Sequence, residues 1–358
     1  MVRSLGAATG TLLAVMGCAS IPLTPYSEDM PPSVMVALDG AGVHDLRGQY
    51  RAALCPKLSD PTRSCDDVLL RYPGETDAAA PATSNDLARR YRIAFVPGLF
   101  SECLDGVARP FGEVMEELRQ QGFDVQFLQV GGRGTVAANA ERLSRAFAGL
   151  DHDPRPIIVF AYSKGLPDVL EMVVRYPEAA RQIVAIVSVA GAVNGTPLAE
   201  DIEDIYRSIG ARFPMPGCDS GSGEELRDLR RETRLEWWQR HGTAIRVPIY
   251  SIVAVPRPGQ VSPVLSAKHA KLSEIDPRND GQLIWYDAIA PRSRLLGYVN
   301  ADHWTITIDF DKQLPIVAGL FRDDVPRTAL VEAAIEVVDV TRTGKGGSSW
   351  NGAPAGTP

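Results

Sequence analysis

The chain is poor in the residues that mark several large protein classes. Basic residues are in the minority, with 37 Lys and Arg against 44 Asp and Glu over 358 residues, a formal net charge of −7. That balance argues against a nucleic-acid binder, which needs a basic face. No stretch reaches the roughly 18 uninterrupted apolar residues of a membrane-spanning helix. No internal repeat is visible. Cysteine and histidine number five each, with no CxxC and no His close to a Cys, so nothing resembles a zinc site. What is present, 45% hydrophobic and 23% charged residues, is ordinary for a globular protein and excludes disorder throughout. The length suits one large domain or two small ones with a sizeable core. With 32 glycines and 27 prolines, turns should be plentiful.

The first residues, MVRSLGAATGTLLAVMGCAS, read as a secretory signal: Arg3, then a short apolar run from Leu5 to Gly17, then small residues. Val15-Met16-Gly17-Cys18 resembles the lipobox of bacterial lipoproteins. The resemblance implies cleavage before Cys18, acylation of its thiol, and an exported protein anchored by lipid in the cell envelope. The other reading is a plain signal cut near Ala19. Residues 18–33 form a Pro-rich tether. The remaining Cys55, Cys65, Cys103 and Cys218 are an even set in an oxidising compartment and read as structural disulfides. Cys55 and Cys65, separated by nine residues with two prolines, suit a short loop, which leaves Cys103 with Cys218.

Residues 34–90 read as an amino-terminal extension packed on the main domain, and 91–340 as that domain. Short apolar runs at 92–96, 124–130, 156–161, 183–190, 247–255 and 294–299 predict strands. Helical spacing at 107–121, 135–150, 164–176 and 327–338 predicts helices. Strands alternating with helices imply right-handed crossovers, so the fold class is α/β with a mostly parallel sheet flanked by helices. The rhythm breaks over 195–242, a helical insertion or cap before the 247–255 strand. Its Trp237 and Trp238 either line a pocket or face a membrane, or else pack the insertion onto the sheet. Residues 341–358 read as a disordered tail.

The most informative residues are Ala161-Tyr162-Ser163-Lys164-Gly165, between a buried strand and a helix. A serine at a sharp strand-to-helix turn takes strained backbone angles, so the positions two before and two after it must be small. Ala161 and Gly165 meet that demand. The bland alternative is a helix-capping serine.

Serine is a weak nucleophile and needs a base oriented by an acid. Of the histidines, His44 and His152 precede the serine in polar loops, while His241 and His269 sit on polar helical segments. His303, directly after the last strand, is the candidate base. The candidate acids are Asp280, Asp276 and Asp287, of which Asp280, in the tight turn Asn279-Asp280-Gly281, is favoured. The backbone amides of Lys164 and of Leu99, with Phe100 next, are the candidate oxyanion donors, Gly98 allowing an unusual turn that aims the Leu99 amide inward.

Ser163, Asp280 and His303 in that order, on strands alternating with helices, resemble the α/β-hydrolase superfamily, and within it lipase- and esterase-like members, over residues 91–340. Pro97 stands where that family usually has a histidine, and Ala161 replaces the commoner glycine. The resemblance implies ester hydrolysis through an acyl-enzyme, with a small-molecule or lipid ester as substrate and no metal or organic cofactor. Lys164 brings a cation beside the serine, which would favour an anionic substrate group. Gly131-Gly132-Arg133-Gly134 with Asn139 also resembles a loop of such lipases and lacks the GKS ending of a phosphate-binding loop. Acyl transfer to another acceptor, amide cleavage, and a non-catalytic envelope-binding role remain alternatives.

Overall fold

Five runs of the chain are buried along almost their whole length, and they are apolar segments of the sequence. In the computed structural model, Arg92–Val96 (β3), Ile157–Tyr162 (β5), Ile183–Val189 (β6), Ile249–Ala254 (β7) and Arg294–Val299 (β8) are mostly apolar and covered on both faces. Asp124–Phe127 (β4) is a half-covered edge. Continuous apolar runs of this kind are what a parallel sheet demands, because helices cover both its faces. The structure describes residues 38–344 apart from 61, 83–85, 105–107, 201–218 and 317. The leader, Cys18, the tether, Cys218, part of the expected cap and most of the expected tail lie outside the described residues.

The extension does more than pack on the domain. His44–Asp45 (β1) pairs parallel with β8, and Leu69–Leu70 (β2) pairs antiparallel with it, giving an eight-stranded sheet. The path runs β1-β8-β7-β6-β5-β3-β4, with every other pairing parallel. Two-residue strands carry no periodicity of their own, so only their partner reveals them. Cys55 and Cys65 are disulfide-bonded within this extension. Cys103 is also disulfide-bonded.

Alternation along each strand divides the core. Ile93 and Phe95 of β3 face one cluster with helices Arg47–Leu54 (α1), Gly112–Gln120 (α2) and the last long helix. Ala94 and Val96 face the other, with Val136–Ala148 (α3), Gly165–Arg175 (α4) and Arg231–His241 (α5). Ser266–Ser273 (α6) follows β7. The last helix, Arg327–Thr343 (α7), runs beyond the expected 338 into the segment read as tail, and ends on Gly344 in the left-handed region. The described residues fall in one compact unit.

The strand order reverses at β3, because the chain goes out to β4 on one side and returns to β5 on the other. In open parallel sheets the crevice outside the carboxyl ends at such a switch is where ligands bind. Gly98 and Ser163 meet there.

Candidate active site

Ser163 lies between β5 and α4 with φ of 53°, a value that bulky residues avoid. Its backbone carbonyl accepts from Leu166 N at 3.2 Å and Ala192 N at 3.1 Å, and its N–H donates to Val189 O. The strained turn is thus held by the helix ahead and by the end of β6. The small neighbours have steric reasons. A Cβ on Gly165 would lie 2.5 Å from Pro97 O, and one on Gly98 would lie 2.8 Å from Ser163 Cβ. Gly98 is therefore required for close approach. The left-handed residue of its loop is Phe100, at φ 62°, which corrects the sequence-based reason for that glycine.

Ser163 Oγ lies 2.9 Å from His303 Nε2, and His303 Nδ1 lies 2.7 Å from Asp280 Oδ2. His303 is 4% exposed. Asp280 Oδ1 accepts from Gln282 N at 2.8 Å and Leu283 N at 2.6 Å, so the tight turn through Gly281 (φ 86°) fixes the carboxylate. The turn carrying His303 is held by Asp302, whose Oδ1 accepts from Trp304 N and Thr305 N and whose Oδ2 accepts from Ser262 N.

The other candidates are occupied elsewhere. Asp276 pairs with Arg278 at 2.7 Å and accepts from Trp285 Nε1. Asp287 is fully buried with neither oxygen in a well-formed hydrogen bond among the described residues, 3.3 Å from Arg231 Nε, and burial pushes its carboxyl up to about 7. His152 accompanies Gly149 O, His241 packs beside Trp237, and His269 lies against Ser273 with its pKa lowered by burial.

Among the described residues, neither the Leu99 nor the Lys164 N–H has a protein acceptor, whereas Phe100 N donates to Gly132 O at 2.8 Å. The Gly-rich loop braces this corner. Gly132 N donates to Glu102 Oε2, and Asn139 both accepts from Gly131 N and donates to Gly131 O. Asn139 also donates to Asp168 Oδ2 at 2.8 Å.

Lys164 does not offer its charge to the site. Its ammonium is buried and sits 2.7 Å from Asp168, whose carboxyl burial pushes up to about 6 against the pull of Lys164. A charge neutralised internally gives no preference for an anionic substrate, and that expectation falls. The spacing of four on one helix was the available signal. Trp237 and Trp238 act as fasteners. Trp237 Nε1 donates to Glu171 at 2.6 Å and Trp238 Nε1 to Val193 O at 3.0 Å, which binds α5 to α4 and to the segment after β6. Among the described residues no three His, Cys, Asp or Glu side chains converge as metal ligands would.

No protein-family model matches the sequence, and no curated protein matches it. Solved structures do. The metagenomic carboxyl esterase MGS0156 is similar over 87% of this chain and 97% of its own, at 32% identity and a TM-score of 0.78. The lipase BlEst2 of Bacillus licheniformis, in its propeptide form, shares 18% identity over 65% of this chain and 50% of its own, at a TM-score of 0.50, a likeness of fold alone. At 32% identity to a carboxyl esterase along nearly that protein's whole length, the chain belongs to the carboxyl esterases of the α/β-hydrolase type and is an ester-cleaving hydrolase.

Proposed function

We propose that the chain cleaves carboxylic esters through an acyl-enzyme formed on Ser163. The observation that carries this reading is the unbroken line of contacts from Ser163 Oγ through His303 to Asp280, at 2.9 and 2.7 Å. With Asp280 ionised, Nδ1–H donates to it and Nε2 is left to accept the serine proton. Ser163 Oγ attacks the ester carbonyl and His303 takes the proton. The negative oxygen of the tetrahedral intermediate meets the unused N–H groups of Leu99 and Lys164, at the start of α4. Collapse expels the alcohol, protonated by His303. Water then attacks the acyl-enzyme by the same route in reverse, releasing the acid.

A fluorophosphonate probe tests this directly. Wild type should be labelled, and Ser163→Ala and His303→Ala should not be. Labelling that survives Ser163→Ala would place the nucleophile elsewhere.

The lipobox-like leader supports an exported, lipid-anchored enzyme, and the Cys55–Cys65 disulfide is in keeping with an oxidising compartment. In a bacterial host the full chain should take up radiolabelled palmitate and partition into detergent, and Cys18→Ala should do neither. Equal labelling of both would refute lipidation at Cys18.

A further inference from the structure

The residue before Ser163 reaches across to the base. Tyr162, the last residue of β5, is 5% exposed, and its phenol O–H donates to the backbone carbonyl of His303 at 2.8 Å. Its ring lies against the imidazole, with centroids 5.2 Å apart and planes at 35°. The His303 N–H donates to Asp280 O at 2.9 Å. Both backbone groups of His303 are therefore fastened, one to the turn of the acid and the other to the strand of the nucleophile.

We propose that Tyr162 is a positioning residue that makes Ser163 and His303 move as one body. This rests on the roles given to Ser163 and His303 above. Tyr162 and Ser163 are joined by one planar peptide bond, so a displacement of the end of β5 carries the serine with it. Through the phenol the same displacement carries the carbonyl of His303, and the 2.9 Å separation survives. Nothing else described joins these two turns through a hydrogen bond to the backbone of His303. Burial pushes the phenol pKa well above its ordinary value, so the group stays a donor at any working pH.

The competing account is that Tyr162 only fills the core and its hydroxyl takes the nearest acceptor. Two substitutions in the full chain separate the accounts. Tyr162→Phe keeps the ring and removes the hydrogen bond, and Tyr162→Leu removes both. Phe160→Leu, at a fully buried core position of the same strand, controls for lost stability. With a p-nitrophenyl ester, Tyr162→Phe should lower kcat and kcat/KM together by about tenfold, roughly the cost of one hydrogen bond, with KM unchanged. Fluorophosphonate labelling should slow by the same factor. Phe160→Leu should lower Tm and leave kcat within about twofold. Tyr162→Leu should lose at least as much kcat as Tyr162→Phe, because it too lacks the hydroxyl. A wild-type kcat in Tyr162→Phe, or an equal loss in Phe160→Leu, overturns the proposal. Unaltered labelling in Ser163→Ala would instead overturn the reading on which it rests.

Discussion

Asp280 and Asp287 share the connection between β7 and β8, both are buried, and the environments given to them are opposite. Asp280 is surrounded by donors: two backbone N–H groups on one oxygen and the His303 imidazole on the other. Asp287 has no well-formed hydrogen bond to either oxygen among the described residues, where its ion-pair partner is the Arg231 guanidinium at 3.3 Å. Burial alone disfavours the ionised form, as at Asp287, whereas the donors around Asp280 fix the direction of its carboxyl group. A buried acid therefore orients a base only where the backbone has been folded around it. The other acid is free to do no more than tie α5 to the segment before β8.

The comparison breaks most sharply through activity. Asp280→Asn should cost ~10³–10⁴-fold in kcat, because an amide cannot hold the imidazole in the tautomer that accepts from serine. Asp287→Asn should leave kcat within about twofold. Steady-state kinetics on one p-nitrophenyl ester read both, and a greater loss in Asp287→Asn would reverse the two roles.

The smaller effect is on stability. The folded value of Asp287, about 7, lies above its ordinary 3.8. The stability it lends is therefore complete below about pH 4 and is lost as pH rises through about 7, an effect of at most ~4 kcal/mol. Asp287→Asn removes that loss. The variant's Tm relative to wild type should rise by several degrees between pH 5 and pH 8. A difference that falls over that range would mean that the Arg231 ion pair outweighs the cost of burying the charge.

What could be read in the sequence follows from how local each cause is. The steric demand at Ala161, Ser163 and Gly165 acts within one turn, so the residues display it. The tight turn at Asp280 is equally local, written in Asn279-Asp280-Gly281 itself. The central strands declare themselves because each must be apolar on both faces. Other features depend on partners far along the chain. The Tyr162 hydroxyl finds a carbonyl at His303, and β1 and β2 are strands only because β8 receives them. Lys164 lies between these cases: its spacing of four from Asp168 is local, but whether that pair turns inward or faces the site depends on the packing of α4 against Asn139 of α3.

The pairing of β1 with β8 also sets an order of events in synthesis. His303 follows a strand whose flank is held by residues 44–45 and 69–70, among the earliest of the folded body to be made, while β8 is among the last. A growing chain exposes Ser163 long before His303 exists, and pairings this distant along the chain form late. The contact between Ser163 and His303 therefore forms only after β8 has been made, whatever the order in which the earlier strands pair.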